Sequence, residues 1–297
     1  MSTGYLLLVH DQPLQVRRLI AALQGPGVSI VVHVDAKADR ASFVAALRGL
    51  SGVHVLPPSA SVAVNWGGYS QTQAMLNLCA AGLEQCSDAR RFTLLSGACY
   101  PVASNARLQA LASSPDLLID LKLTPPELPR YERVRHYHLS DHPLTNRRGS
   151  TDRSPRERSY IRYIKDFVSS LPPRPPFPVP LYYGPTWWSL TRPALEYVMR
   201  YCQEHPELLT EFRYSAHADE HLVHTILGNS HWAEASIGCG HYYAWEEHPK
   251  RHCRTLDISD LDRIPPTALF VRKVDQAGSA ELLEWLDQAR APTEAPR

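Results

Sequence analysis

The 297 residues lack several features that would narrow the chain's class at once. Long hydrophobic runs are missing. The apolar stretch Tyr5–Val9 has only five residues, with no basic flank and no cleavage-like site after it, so neither a secretion leader nor a membrane span is expected. A charge imbalance is missing too. The formal net charge is +1, which gives no footprint for nucleic acid as partner. The six cysteines, at 79, 86, 99, 202, 239 and 253, form no C-x-x-C pair, and free thiols in a cytoplasmic protein are the expectation. Fourteen histidines are present, yet none shows zinc-finger or H-E-x-x-H spacing, so no structural zinc is expected. What remains is ordinary globular composition, 44% apolar and 21% charged, enough for one sizeable core.

Residues 1–121 alternate strand and helix signals. Tyr5–Val9, Ser29–Val34, Val53–Leu56, Arg91–Leu95 and Leu117–Leu121 read as strands. Leu14–Leu23, Ala41–Leu50, Ser70–Leu83 and Ala106–Ala112 read as helices, with Ser70 as an N-cap. Strands separated by helices imply an α/β fold with a mostly parallel sheet. Ligands of such sheets bind beyond the carboxyl ends of the strands, which here carry His10, Asp35 and Ser96-Gly97. Residues 122–180 are a polar, Pro- and Arg-rich insertion. Within it, the basic segment 146–167 reads as a solvated surface or as a contact with an acidic acceptor or anionic lipid. Tyr160–Phe167 reads as a short helix before the extended PPRPPFPVP. Residues 181–290 complete a single domain spanning 1–290, and 291–297 form a frayed tail.

Three stretches could carry chemistry. In ADEHLVHTIL, Asp219 and Glu220 open an apolar-periodic segment. They either cap a helix start or supply one capping acid and one general base. Lys250, Arg251 and Arg254 form one basic group, and Arg272-Lys273 end the strand-like ALFVRK. The two groups could converge on a polyanion such as a diphosphate, whose charge grows as its bond breaks. The one literal D-x-D, Asp260-Leu261-Asp262, sits late in a helix-like stretch and reads as surface helix, so no metal ligand set is expected. In GPTWWSLTRPALEYV, Trp187 and Trp188 cannot both face one way on an extended strand, and the pair reads either as core or as one core ring and one ring lining a site that a flat, polar ligand enters. Trp66 precedes Gly67-Gly68, a turn allowing close backbone approach.

Seven segments, in order and spanning nearly the whole chain, resemble the core-2/I-branching β-1,6-N-acetylglucosaminyltransferase family, glycosyltransferase family 14, and its bacterial members above all. They are YLLLVHDQP, VVHVDAKAD, VNWGGYSQTQAMLNL, FTLLSGACYPV, GPTWWSLTRPALEYV, ADEHLVHTIL and ALFVRK. The resemblance implies a GT-A-like fold, an inverting mechanism and no required metal or other cofactor. It implies Glu220 as catalytic base, and Lys273 with either Lys250 or Arg251 on the diphosphate. His10 and Asp35 fall on the nucleoside, and Trp187 or Trp188 on the acceptor side. An acceptor-side arginine maps onto Arg133 or Arg135; Trp66 and Ser96 complete the substrate-binding candidates. The expected donor is UDP-GlcNAc, with UDP-xylose as the alternative. The expected acceptor is a glycan or lipid-linked glycan, met with peripheral contact at the inner membrane face. A metal-dependent glycosyltransferase and a non-catalytic glycan-binding protein are the competing readings.

Overall fold

The computed structural model describes residues 2–142, 154–246 and 253–291. Its centre is a five-stranded sheet in the order β3-β2-β1-β4-β8, where β1 is Ser2–Val9, β2 Val28–Val34, β3 Val53–Val55, β4 Ala89–Ser96 and β8 Ser189–Thr191. The first four strands are parallel and β8 runs antiparallel beside β4. This is the expected α/β architecture, a mostly parallel sheet flanked by helices. The strands are apolar on both faces because both are covered: Leu6, Leu7, Val31, Val32, Leu94 and Leu95 are all buried.

The helices follow from short-range signals. Pro13 opens helix Pro13–Leu23 at its first turn, and Val16, Leu19, Ile20 and Leu23 bury one stripe at helical spacing. Asp39 caps helix Arg40–Leu47 by accepting from the amides of Ala41 and Ser42. Helix Tyr69–Gln85 buries Met75, Leu78 and Cys79 and packs on β1 and β2. Its cap corrects the expectation for Ser70. The Ser70 amide donates to the Asp141 carboxylate at 2.8 Å, so a distant acid caps this helix and Ser70 lies inside it.

Three further readings change. Residues 117–121 form isolated bridges, Leu117 to Ser236 and Leu118 to Ser189, rather than a strand. The buried Arg91 guanidinium takes the carbonyls of Leu111, Ser114 and Asp116 just upstream, so the chain arrives there held by a side chain rather than a ladder. The helix at 160–167 is longer, Pro155–Ser170, because Ser154 and Glu157 form a reciprocal cap and Pro155 starts the first turn. Asp260 is not on a surface helix. It lies fully buried in the 3-10 turn Ile258–Arg263, paired with Arg254.

A second sheet, β5-β10-β9, joins Cys99–Pro101, Phe270–Arg272 and His241–Tyr243. β10 runs antiparallel to β5 with Arg272 opposite Cys99. That register delivers residues 272–274 to the carboxyl end of β4. A small antiparallel pair, β6 (Lys122–Leu123) with β7 (Tyr182–Tyr183), starts and closes the insertion.

Candidate active site

The carboxyl ends of three strands converge. Val9 pairs with Val34, so His10 and Asp35 leave β1 and β2 side by side, and the Asp35 amide donates to the Val9 carbonyl at 2.8 Å. Asp35 is buried and its Oδ1 accepts from the Lys37 amide at 2.8 Å, which fixes the carboxylate. His10 is exposed, with Nε2 3.6 Å from Asp11 Oδ2. Ser96 ends β4, and its hydroxyl accepts from the Ala98 amide and from Arg272 Nη1. Lys273 follows Arg272; its carbonyl accepts from the Leu256 amide, and the next amide, of Val274, donates to the Ala98 carbonyl. The Gln276 amide donates to Gln12 Oε1 at 2.8 Å, which draws the loop after β10 onto the loop after β1. His10, Asp35, Ser96 and Lys273 therefore share one end of the sheet.

The second part of the site is built around residues 217–221. His217 has left-handed backbone (φ 55°), and its amide donates to the Gly67 carbonyl. Gly67 itself has φ 75°, and a Cβ there would stand 3.1 Å from the His217 ring, so only glycine fits. The Trp66 ring meets the His217 ring edge-on at 4.7 Å and is 61% exposed. The 3-10 turn Ala218–Glu220 then sends the two acids in different directions.

Asp219 points inward. Its Oδ2 accepts from Gln71 Nε2 at 2.7 Å and Thr186 Oγ1 at 2.6 Å. Burial, with the Glu220 carboxylate alongside, pushes the Asp219 carboxyl up to about 7. Glu220 is partly exposed. Its Oε2 forms an ion pair with Arg133, while Oε1 makes no hydrogen bond among the described residues. His221 and His224 are buried and held neutral: burial pushes the first down to about 3 and the second to about 4. Their ring N–H groups donate to the carbonyls of Tyr182 and Pro185.

One short segment connects the two parts. The Gly184 amide donates to the Glu220 carbonyl, Thr186 donates to Asp219, and the Trp187 ring lies under the Arg272 guanidinium at 4.5 Å. Residue 184 must be glycine for this, because a Cβ would stand 2.5 Å from the Asp120 carbonyl and the His224 ring. The tryptophan expectation is corrected here. Trp188 is 1% exposed and fully core, but Trp187 is also only 8% exposed, because Arg272 covers its face. Neither ring is open to a sugar.

Arginine placement differs as well. Arg135 is exposed and pairs with Glu132 at 3.4 Å, away from the acids. Arg133 is the one that reaches Glu220, and Arg130 lies 3.5 Å over the Tyr183 ring beside it. Arg174, from the proline-rich segment, donates to the Val134 carbonyl, to Ser215 Oγ and to the Glu211 carbonyl, and so pins the turn that carries Arg133. Lys250 and Arg251 lie outside the described residues. A cavity of about 760 Å³ opens beside Arg133, lined by Trp66, Arg133, His136, Tyr137, Lys165 and His217 among others. Among the described residues, no three His, Cys, Asp or Glu side chains gather as a metal site.

Residues 3–265 match the Core-2/I-Branching enzyme family. The chain belongs to that family. The family is one of glycosyltransferases, and a bovine relative, β-1,3-galactosyl-O-glycosyl-glycoprotein β-1,6-N-acetylglucosaminyltransferase, is 24% identical over 295 residues. The alignment takes in 95% of this chain, which spans 62% of the bovine protein's length. Among solved structures, the galactosyltransferase LgtC with donor and acceptor sugar analogs aligns over 100% of this chain and 98% of its own, at 12% identity and TM-score 0.47. Mouse xyloside xylosyltransferase 1, apo form, aligns over 77% of this chain and 82% of its own, at 16% identity and TM-score 0.31.

Sequence reasoning grouped Arg272 with Lys273 as a basic pair near a polyanion and missed that the Arg272 guanidinium lies over the Trp187 ring. The inward turn of Asp219 left no local trace, because its partners Gln71 and Thr186 are distant in sequence.

Proposed function

We infer that this family member transfers a sugar, GlcNAc by preference, from a UDP-sugar to a glycan hydroxyl with inversion and without a metal, on a GT-A-like scaffold. The single observation carrying this reading is the segment Gly184–Trp188, which couples the Glu220 turn to the Ser96–Arg272–Lys273 end of the sheet. The Glu220 turn and the basic residues at the end of β10 thus both contact one short segment, as a reaction with both a nucleophile and a leaving group requires.

In this reading the acceptor oxygen attacks the anomeric carbon and gives its proton to Glu220 Oε1. The bond from that carbon to the diphosphate oxygen breaks on the opposite face, and UDP departs with the electron pair. Lys273, with Lys250 or Arg251, meets the growing negative charge. His10 and Asp35 hold the nucleoside. Asp219 does not act on substrate; it holds the connector against Glu220. The acceptor, a glycan or lipid-linked glycan, enters through the cavity beside Trp66. Metal independence is supported by the state of the one D-x-D, since Asp260 is committed to Arg254 and to the cap of its own turn.

Calorimetric UDP binding in excess EDTA and with manganese tests this. The parent should bind equally in both, and Lys273→Ala should weaken UDP affinity and lower turnover together. Manganese-dependent binding that is indifferent to Lys273→Ala would overturn the metal-free reading.

A further inference from the structure

Helix Pro155–Ser170 presents three large aromatic side chains to solvent. Tyr160, Tyr163 and Phe167 are 55%, 68% and 56% exposed. Spacing of three and four residues puts them in a single stripe along the helix. Ile161, Ile164 and Val168 each follow one of these positions by one residue, so their stripe lies about 100° round the helix. That second stripe faces the protein: Ile161 is buried, and Ile164 and Val168 line the cavity beside Arg133. The exposed remainder is mostly basic, with Arg156, Arg158, Arg162 and Lys165 against Glu157 and Asp166. Glu157 is already engaged in the cap with Ser154. Lys165 stands on the cavity wall.

We propose that this helix docks the enzyme onto an anionic lipid surface and thereby holds the cavity mouth at headgroup level. The chemistry matches the interface. Aromatic rings with a polar edge settle among headgroups, and lysine and arginine stems reach anionic phosphates while their alkyl parts stay apolar. Each base near such a surface contributes an attraction that salt screens. A second copy of the chain fits the helix less well, because self-pairing would bring its bases against their own copies. No described helix is long and apolar enough to cross a membrane, and this mode of contact needs none. Since the stripe adjoins the cavity-lining stripe, a saccharide tethered to a lipid in that surface would meet the cavity directly. That last consequence rests on the glycan-acceptor reading; the surface contact does not.

The test uses the full chain and sedimentation with vesicles of phosphatidylcholine alone or mixed equally with phosphatidylglycerol. The chain should sediment with the mixed vesicles, not with phosphatidylcholine alone, and salt should release it. Replacing Tyr160, Tyr163 and Phe167 together by Ser should abolish sedimentation while UDP affinity and melting stay at parent values. Arg156→Gln with Arg162→Gln should weaken vesicle binding roughly 30-fold. A parent that ignores mixed vesicles, or an aromatic variant that still binds them, overturns the proposal. So does a parent dimer that the aromatic variant dissolves, which would mark the stripe as a contact between copies. Vesicle binding without UDP binding would instead leave this surface standing and sink the proposed function.

Discussion

Replacing Asp219 by Asn should change stability in a pH-dependent way. The carboxyl is buried, and burial beside Glu220 lifts it to about 7 in the folded protein, against an ordinary value near 3.8. Between those values the folded state holds a proton that the unfolded state has released. Stability therefore falls as pH rises through this window, by up to about 1.4 kcal/mol per pH unit from this one group. Asn cannot ionise, so it removes the penalty. It also keeps an oxygen for Gln71 and Thr186, which both donate to Asp219 Oδ2. The second polar atom has no partner in the parent, since Asp219 Oδ1 is buried and unpaired, so the new amide NH₂ is orphaned at a site already orphaned. The variant should match the parent or lose about 1–3 kcal/mol at pH 4, and improve steadily relative to it up to pH 7. Urea midpoints of both proteins across that range supply the difference curve, in which the other titrating groups cancel. A difference that stays flat, or falls with pH, refutes the placement of a protonated acid at this position.

Two other expectations follow from neighbouring groups. Burial holds His221, His224 and His241 neutral, with values of about 3, 4 and 3, while their unfolded value is near 6.5. The unfolded chain gains protons first as pH drops, so these three should cost stability below pH 6.5, each up to about 1.4 kcal/mol per pH unit; parent urea midpoints that do not fall between pH 6.5 and 4.5 after subtraction of the Asp219 effect contradict this. Trp66→Ala should raise the acceptor KM and leave UDP affinity unchanged, because the ring lines the cavity and packs edge-on against His217; equal losses in both would place Trp66 on the donor side instead.

What was legible in the sequence is what local pattern encodes. The strands at 5–9, 29–34 and 91–95 and the helices between them could be read because each carries its own apolar periodicity, and the carboxyl-end positions of His10, Asp35 and Ser96 followed from strand direction. Contacts between remote segments were not legible. Asp141 capping a helix at Ser70, Arg272 covering Trp187, and Arg254 neutralising Asp260 are side-chain pairs set by tertiary packing. The tryptophan pair shows the difference most clearly. Alternation offered one of Trp187 and Trp188 to a cleft, but an arginine from a strand about 85 residues later, which no local rule supplies, covers Trp187, and Trp188 is core as well.

The most direct test of the account is single-turnover transfer from UDP-GlcNAc by Glu220→Gln, measured beside calorimetric UDP affinity of the same protein. Gln preserves the shape and still accepts from Arg133, yet cannot take the acceptor's proton. The account predicts turnover reduced by roughly 10²-fold or more with UDP affinity at the parent value. Near-parent turnover in a folded, UDP-binding Glu220→Gln protein would contradict it.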